Sequence, residues 1–169
     1  MFQAFDNPGP GRSLQRADWM ALLARAPVGL LESGLHGQAA RPSHWLRSPE
    51  TGLMMVQGRV GGTGERFNLG EVTVTRCALR VEADGAPVSV GVAYVLGRSR
   101  RHAELAALAD ALLQDVAQQP ALDAAVLEPI RAHLKSARQQ RQERAASTRV
   151  DFFTVARESG GADDEEDAA

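Results

Sequence analysis

The sequence is short of cysteine, aromatics and long apolar runs, and each shortage removes a class of protein. Cys77 is the single cysteine, so neither an internal disulfide nor a cysteine metal cluster is available to it. Aromatic residues make up 5% of the 169 residues, with no zinc-finger or RNP pattern beside them, and no nucleic-acid partner is expected. No run approaches the roughly 18 consecutive apolar residues of a membrane span. The opening, MFQAFDNPGPGRSLQ, lacks the basic-then-apolar order of a secretory signal. A cytoplasmic protein with no membrane partner is therefore expected. His36, His44, His102 and His133 show no HExxH spacing, and no Gly-x-Ser-x-Gly elbow is present. No metal site and no catalytic residue are assigned to this chain alone.

What is there is an ordinary globular composition, 44% hydrophobic and 24% charged. The charge is unevenly placed. Residues 158–169, ESGGADDEEDAA, carry six acids and no base, leaving fifteen acids against nineteen bases in residues 1–157. This segment reads as a disordered, solubilising acidic tail, with a self-masking acidic arm as the alternative. Residues 1–12 read as a flexible entry and 13–157 as a single domain. The opposite sign gathers in 131–149, where Arg131, Lys135, Arg138, Arg141, Arg144 and Arg149 face Glu143 alone. Eighteen of the nineteen bases are Arg, which suits phosphate forks but is also what a GC-rich genome produces.

Periodicity divides the chain into helix, sheet and helix. Ser13 stands where a helix cap would, and Leu14, Ala17, Met20, Ala21 and Ala24 recur at helical spacing until Pro27. A second short helix is expected over 29–36, and 37–50 reads as a connection with a strand near Trp45. Residues 53–60, 71–81 and 88–96 are strand-like runs between Gly-rich or Asp-Gly punctuation. Alternation puts Val72, Val74, Arg76, Ala78 and Arg80 on one face, and Thr73, Thr75, Cys77, Leu79 and Val81 on the other. Both faces are only partly polar, which predicts a sheet covered on both sides. The connectors are too short for crossover helices, so the strands form an antiparallel meander. A helix over 101–119 follows, capped by Ser99 and ended by Pro120. Another, over 122–146, is split or kinked near Pro129. Last comes an apolar strand-like clip over 149–156. The fold class is α+β: a small antiparallel meander flanked by N- and C-terminal helices, with the clip at the C-terminal end.

Two clusters look functional, and both are of anion-binding type. In Arg59-Val60-Gly61-Gly62-Thr63-Gly64-Glu65-Arg66-Phe67, three glycines within four positions allow a tight turn beside two arginines. No Gly-Lys-Ser/Thr follows, and the next segment is a strand, so neither a Walker loop nor a dinucleotide fingerprint fits. A plain hairpin connection is the simpler reading from composition. The second cluster, Gly97-Arg98-Ser99-Arg100-Arg101-His102-Ala103-Glu104, opens a helix. There Ser99 serves equally as a cap, and the spacing of His102 and Glu104 disfavours joint metal ligation. Cys77, mid-strand, reads as an inert buried thiol.

Taken in order, Glu50-Thr51-Gly52-Leu53, the 59–67 motif, Gly70, Thr75-Arg76, Tyr94-x-x-Gly97-Arg98, His102-x-Glu104, Asp110-x-Leu112 and Arg149-Val-Asp-Phe-Phe-Thr154 with Arg157 resemble the G subunits of bacterial carbon–phosphorus lyase, the PhnG family. The resemblance spans about residues 15–157. It implies a cytoplasmic core complex with H, I and J subunits, closest to I, and transient ATP-binding-cassette-like L and K subunits. With H, I and L, such subunits make α-D-ribose 1-methylphosphonate 5-triphosphate. A phosphonate is joined to C1 of the ATP ribose and adenine leaves. ATP is then a substrate of the complex, and no cofactor is implied for this chain. The resemblance assigns the nucleosidase chemistry to I and the later radical step to J. Arg59, Arg66, Arg76 and Arg98 become candidates either for acids across the I interface, which is favoured, or for a shared triphosphate and phosphonate site. Gly61, Gly62, Thr63, Gly64, Glu65, His102 and Glu104 accompany them. Val150, Phe152, Phe153 and Val155 of the clip are partner-interface candidates. The alternatives are a stand-alone nucleotide- or anion-binding module using the Gly-rich loop and, less well supported, an RNA binder using the basic stripe.

Overall fold

A computed structural model describes residues 15–38, 43–82 and 88–149. Helices α1 (Arg16–Leu23) and α2 (Val28–Gly34) precede strands β1 (Ser43–Arg59), β2 (Arg66–Val81) and β3 (Ser89–Leu96). Helix α3 (Arg100–Leu113), the one-turn α4 (Gln119–Leu122), a π turn (Asp123–Leu127) and α5 (Glu128–Ser147) complete the order. The strands form one antiparallel sheet in the order β1-β2-β3, so the α+β meander is present as read. The expected cap at Ser13, the clip with Val150, Phe152, Phe153 and Val155, and the acidic tail lie outside the described residues.

The alternation in β2 decides which way the sheet faces. Thr75, Cys77, Leu79 and Val81 are buried together with Ala93 and Val95 of β3. The face with Arg76, Arg80, Tyr94 and Leu96 stays open, so the described helices cover one side of the sheet and not both. The connection between β1 and β2 holds nothing longer than a 3-10 turn, at Val60–Gly62. The described α-helices come from before or after the sheet and pack on the same side of it.

Helix α3 lies closest. Ala103, Ala107 and Ala111 recur every fourth residue and are wholly buried, giving a smooth ridge against the strands. Gly91 of β3 meets that ridge: a side-chain carbon there would run into the Ala107 backbone and come within 2.8 Å of the Ala111 nitrogen. The Cys77 thiol donates to the Ala103 carbonyl at 3.1 Å. Burial, helped by the charge of Glu104, pushes this thiol up to about 11. Native Cys77 should therefore resist iodoacetamide at neutral pH and react fully after denaturation. The sign for stability follows: the folded state prefers the thiol, so this contribution is present below the unfolded thiol's pKa and lost as pH rises through about 11. Native labelling at the rate of a free thiol would contradict the packing.

Several boundaries differ from the sequence reading. Residues 43–50 are strand rather than connection, although Arg47, Ser48 and Pro49 interrupt their apolar pattern. Register shifts between Trp45 and Arg47 and between Arg47 and Glu50 absorb the interruption, and β1 is an edge strand where Pro49 forfeits no ladder bond. Strand β2 starts at Arg66, well before residue 71. Helix α3 ends at Leu113 because Asp115 turns its side chain onto the Ala117 N–H, at 3.0 Å, and the Gln118 amide, at 2.6 Å. Pro120 instead opens α4, and Pro129 opens α5 directly after the π turn, where its missing N–H costs little.

Strand β3 pairs with Val74–Val81, so among the described residues the first two strands have only each other beyond Thr73. They run on as a two-stranded ribbon for about 23 Å, at roughly 3.3 Å per residue. Leu53 and Met55 lie on one face, Met54 on the other, and Leu69 packs over Gly58. Leu53, Val60 and Leu69 are 66%, 70% and 63% exposed, and Met54, Met55 and Phe67 are also open.

Candidate functional site

The Gly-rich motif is the tip of this ribbon. Gly61 and Gly62 take φ of 60° and 82°, which an L side chain adopts poorly, and Val60–Gly62 form a 3-10 turn. The Gly64 N–H donates to the Val60 carbonyl at 2.9 Å, and Arg59 Nη1 donates to the Gly64 carbonyl at 2.9 Å. The loop is thus a hairpin connection closed by its own hydrogen bonds. Thr63 and Glu65 sit on it, exposed. The register places Arg59 directly opposite Arg66. Like charges facing each other across two strands repel, and no acid among the described residues pairs with either.

The second group sits near the root. Glu50 Oε1 accepts from Arg76 Nε and from Arg47 Nη1, both at 2.8 Å. Arg76 above all, then Arg47, holds the Glu50 carboxyl below its usual range. At the strand-to-helix junction, Ser99 caps α3 by accepting from the His102 N–H at 3.2 Å. The His102 ring is buried, with Nε2 2.8 Å from the Leu23 carbonyl oxygen. A carbonyl only accepts, so this nitrogen carries the proton. Glu104 accepts from Arg101 Nη1 at 3.2 Å, while Arg101 Nε donates to Glu32 at 3.1 Å and ties α2 to α3. Arg98 is exposed.

The sequence candidates therefore fall into two places. Arg59, Glu65 and Arg66 lie at the tip; Arg76, Arg98, His102 and Glu104 lie at the root. From Arg66 to Arg76 along β2 is about 33 Å at the usual strand rise. A triphosphate held by one group is out of reach of the other within a single chain.

The most completely bonded polar group is one that sequence reasoning did not single out as a site. Asp110, wholly buried on α3, accepts four hydrogen bonds. Oδ1 takes Trp19 Nε1 at 2.8 Å and Arg16 Nε at 3.1 Å. Oδ2 takes Arg16 Nη2 at 2.7 Å and the Val92 N–H at 2.9 Å. The bond to Asp110 outweighs desolvation and holds the Arg16 guanidinium more firmly protonated than usual. Gln114 adds a bond to the Val90 carbonyl at 2.8 Å. The outer edge of β3 is thereby satisfied by side chains of α1 and α3 instead of by another strand. The signal in the sequence is a lone carboxylate inside the apolar stripe of α3. Thr75 is similar in kind: its hydroxyl donates to the Gly97 carbonyl at 2.8 Å and lies 3.1 Å from that of Thr51.

A cleft of about 240 Å³ opens between α1 and β3, with Met20, Ala24, Val92 and Tyr94 in its walls. It is apolar and smaller than the sites that hold small-molecule ligands. Among the described residues, no three His, Cys, Asp or Glu are grouped to hold a metal, and no helix is long and apolar enough to cross a membrane.

Comparison with known proteins bears on these residues together. The profile of the phosphonate metabolism protein PhnG matches residues 14–158. The chain belongs to the PhnG family. The alpha-D-ribose 1-methylphosphonate 5-triphosphate synthase subunit PhnG of Rhizobium meliloti (strain 1021) is 41% identical over 144 residues, covering 85% of this chain and 89% of that protein. Of the residues that carried the resemblance to PhnG, Thr51, Thr75, Gly97, His102 and Asp110 join strands and helices to one another. Arg59, Arg66 and Phe67 sit on the ribbon and its tip instead.

Proposed function

We propose that this chain is a non-catalytic subunit of a cytoplasmic α-D-ribose 1-methylphosphonate 5-triphosphate synthase complex. Within it, H, I and L subunits act with this chain to couple a phosphonate to C1 of the ATP ribose with release of adenine. H, I and J are its stable partners, I the closest, and L and K are transient ones. The observation that carries this reading is the ribbon. A two-stranded hairpin is marginal in water by itself, and this one is apolar on both faces. Burial in a partner's cleft would cover Leu53, Met55, Phe67 and Leu69, and carboxylates of the partner would separate the facing charges of Arg59 and Arg66.

Co-purification on a tagged copy co-expressed with H, I and J tests it. Leu53→Asp and Phe67→Asp should fold normally, since both side chains are exposed, yet lose the partners. Retention of the full complex by both variants would overturn the proposal. Arg66→Ala is expected to weaken assembly as well. An assembled Arg66→Ala complex with a raised KM for ATP would place the tip at the substrate. Tight ATP binding by the chain alone, measured by calorimetry, would favour the independent anion-binding module.

A further inference from the structure

Helix α5 has no fold-related reason to be as long as it is. From Lys135 to Ser147 every residue except Ala137 is exposed. Arg131, at its buried end, is spent: Nη2 donates to Asp123 at 2.7 Å and Nη1 to Glu128 at 2.9 Å. Beyond it the bases are open. Lys135 and Arg138 have no acid partner among the described residues, and Arg141 and Arg144 turn only their Nε onto the helix's own carbonyls. Glu143 accepts from Gln139 instead. Lys135, Arg138, Arg141 and Arg144 recur every third residue, so each repels the next. A helix polar on all sides and charged in this way calls for a counter-charge.

The shape of the band indicates what supplies it. At 100° per residue, each successive base is turned by about 60° against the last, so the charges wind half-way round the helix. An extended acidic peptide can follow such a band, whereas the flat face of a folded partner meets only part of it. The sequence holds such a peptide: Asp163, Asp164, Glu165, Glu166 and Asp167 are consecutive. Extended, they span about 13 Å. From Lys135 to Arg144 the helix rises about 13.5 Å. The chain from the end of α5 to Asp163 reaches about 50 Å when extended, well beyond the roughly 18 Å back to Lys135.

We propose that residues 163–167 lie along α5 and neutralise the band from Lys135 to Arg144. A polyanion or an acidic partner that uses this helix must then displace them. Lys135 is the sole lysine of the chain, which makes the test direct. A zero-length carbodiimide joins a lysine only to a carboxylate in contact with it, and peptide mapping reads the product. On the full chain as purified, with any partners that accompany it, Lys135 is expected to be joined to one of the residues 163–167. The yield should fall several-fold in molar salt. Exchanging all five acids for their amides, Asp163→Asn through Asp167→Asn with Glu165→Gln and Glu166→Gln, should abolish the product. An unmodified Lys135, or one joined to a partner or to acids elsewhere in this chain, would overturn the proposal. So would products mixing heavy- and light-isotope chains, which would mark a second copy as the occupant.

Discussion

Asp110→Ala is expected to lower the free energy of unfolding by about 2–5 kcal/mol, since it breaks an ion pair and orphans two donors at about 1–3 kcal/mol each. The loss does not come from the ion pair alone. The carboxylate also takes the buried Trp19 indole N–H and the half-buried Val92 amide, and both are left without this acceptor. Size is not what matters. Asp110→Asn keeps the volume, but whichever way its amide turns, the NH2 faces donors, since each carboxylate oxygen already accepts from two. Asn should therefore cost nearly as much as Ala. Arg16, whose side chain is 46% exposed, should cost less when truncated, because the Trp19 and Val92 N–H groups still bond the Asp110 carboxylate and water can reach it from the side the guanidinium leaves. Arg16→Ala in an Asp110→Ala background should cost less still, as the two share one interaction. Urea denaturation followed by tryptophan fluorescence checks the series. Asp110→Asn and Asp110→Ala both within about 1 kcal/mol of wild type would refute the role given to this group.

Why sequence reasoning missed Asp110 is physical. Its partners are Arg16 and Trp19, in a helix more than ninety positions earlier, and a backbone amide, and none leaves a local pattern. The apolar stripe of α3, by contrast, was legible because helix periodicity is local, and so were Ser99 as its cap and the three strand runs. Strand ends were not. Arg47, Ser48 and Pro49 read as punctuation, yet an edge strand tolerates them through bulges. The one-sided sheet also escaped, because Val72, Val74 and Ala78 look like a second core face. Among the described residues Val74 is buried there, while Val72 and Ala78 are only half-buried beside the open Tyr94 and Leu96. At the candidate site, residue types were readable and distances were not. Arg59 and Arg66 are seven apart in sequence and face each other, while Arg66 opens a strand and Arg76, ten residues on, lies about 33 Å along it. Only the hairpin register tells these cases apart.

Gly91→Ala should be the most damaging single-methyl change in the sheet. Helix α3 rests on β3 through its own backbone, because Ala103, Ala107 and Ala111 offer nothing larger between them. A methyl at residue 91 collides with the Ala107 carbonyl and comes within 2.8 Å of the Ala111 nitrogen. Neither is the movable end of a side chain. The helix must lift as a body, which also strains the Cys77 thiol bond to Ala103 and the Asp110 bond to Val92. Overpacking ordinarily costs about 1–3 kcal/mol, and contact with helix backbone at both Ala107 and Ala111 places this case at or above the upper end. Gly52→Ala is the matched control: it too adds a methyl to a strand, but nothing lies within 4 Å and φ is not left-handed. It should stay within about 0.5 kcal/mol of wild type. The thiol gives a second readout, since a lifted helix exposes it. Gly91→Ala should raise the native-state rate of Cys77 alkylation and Gly52→Ala should not. If the two variants unfold at the same urea concentration and label alike, the helix does not sit against Gly91.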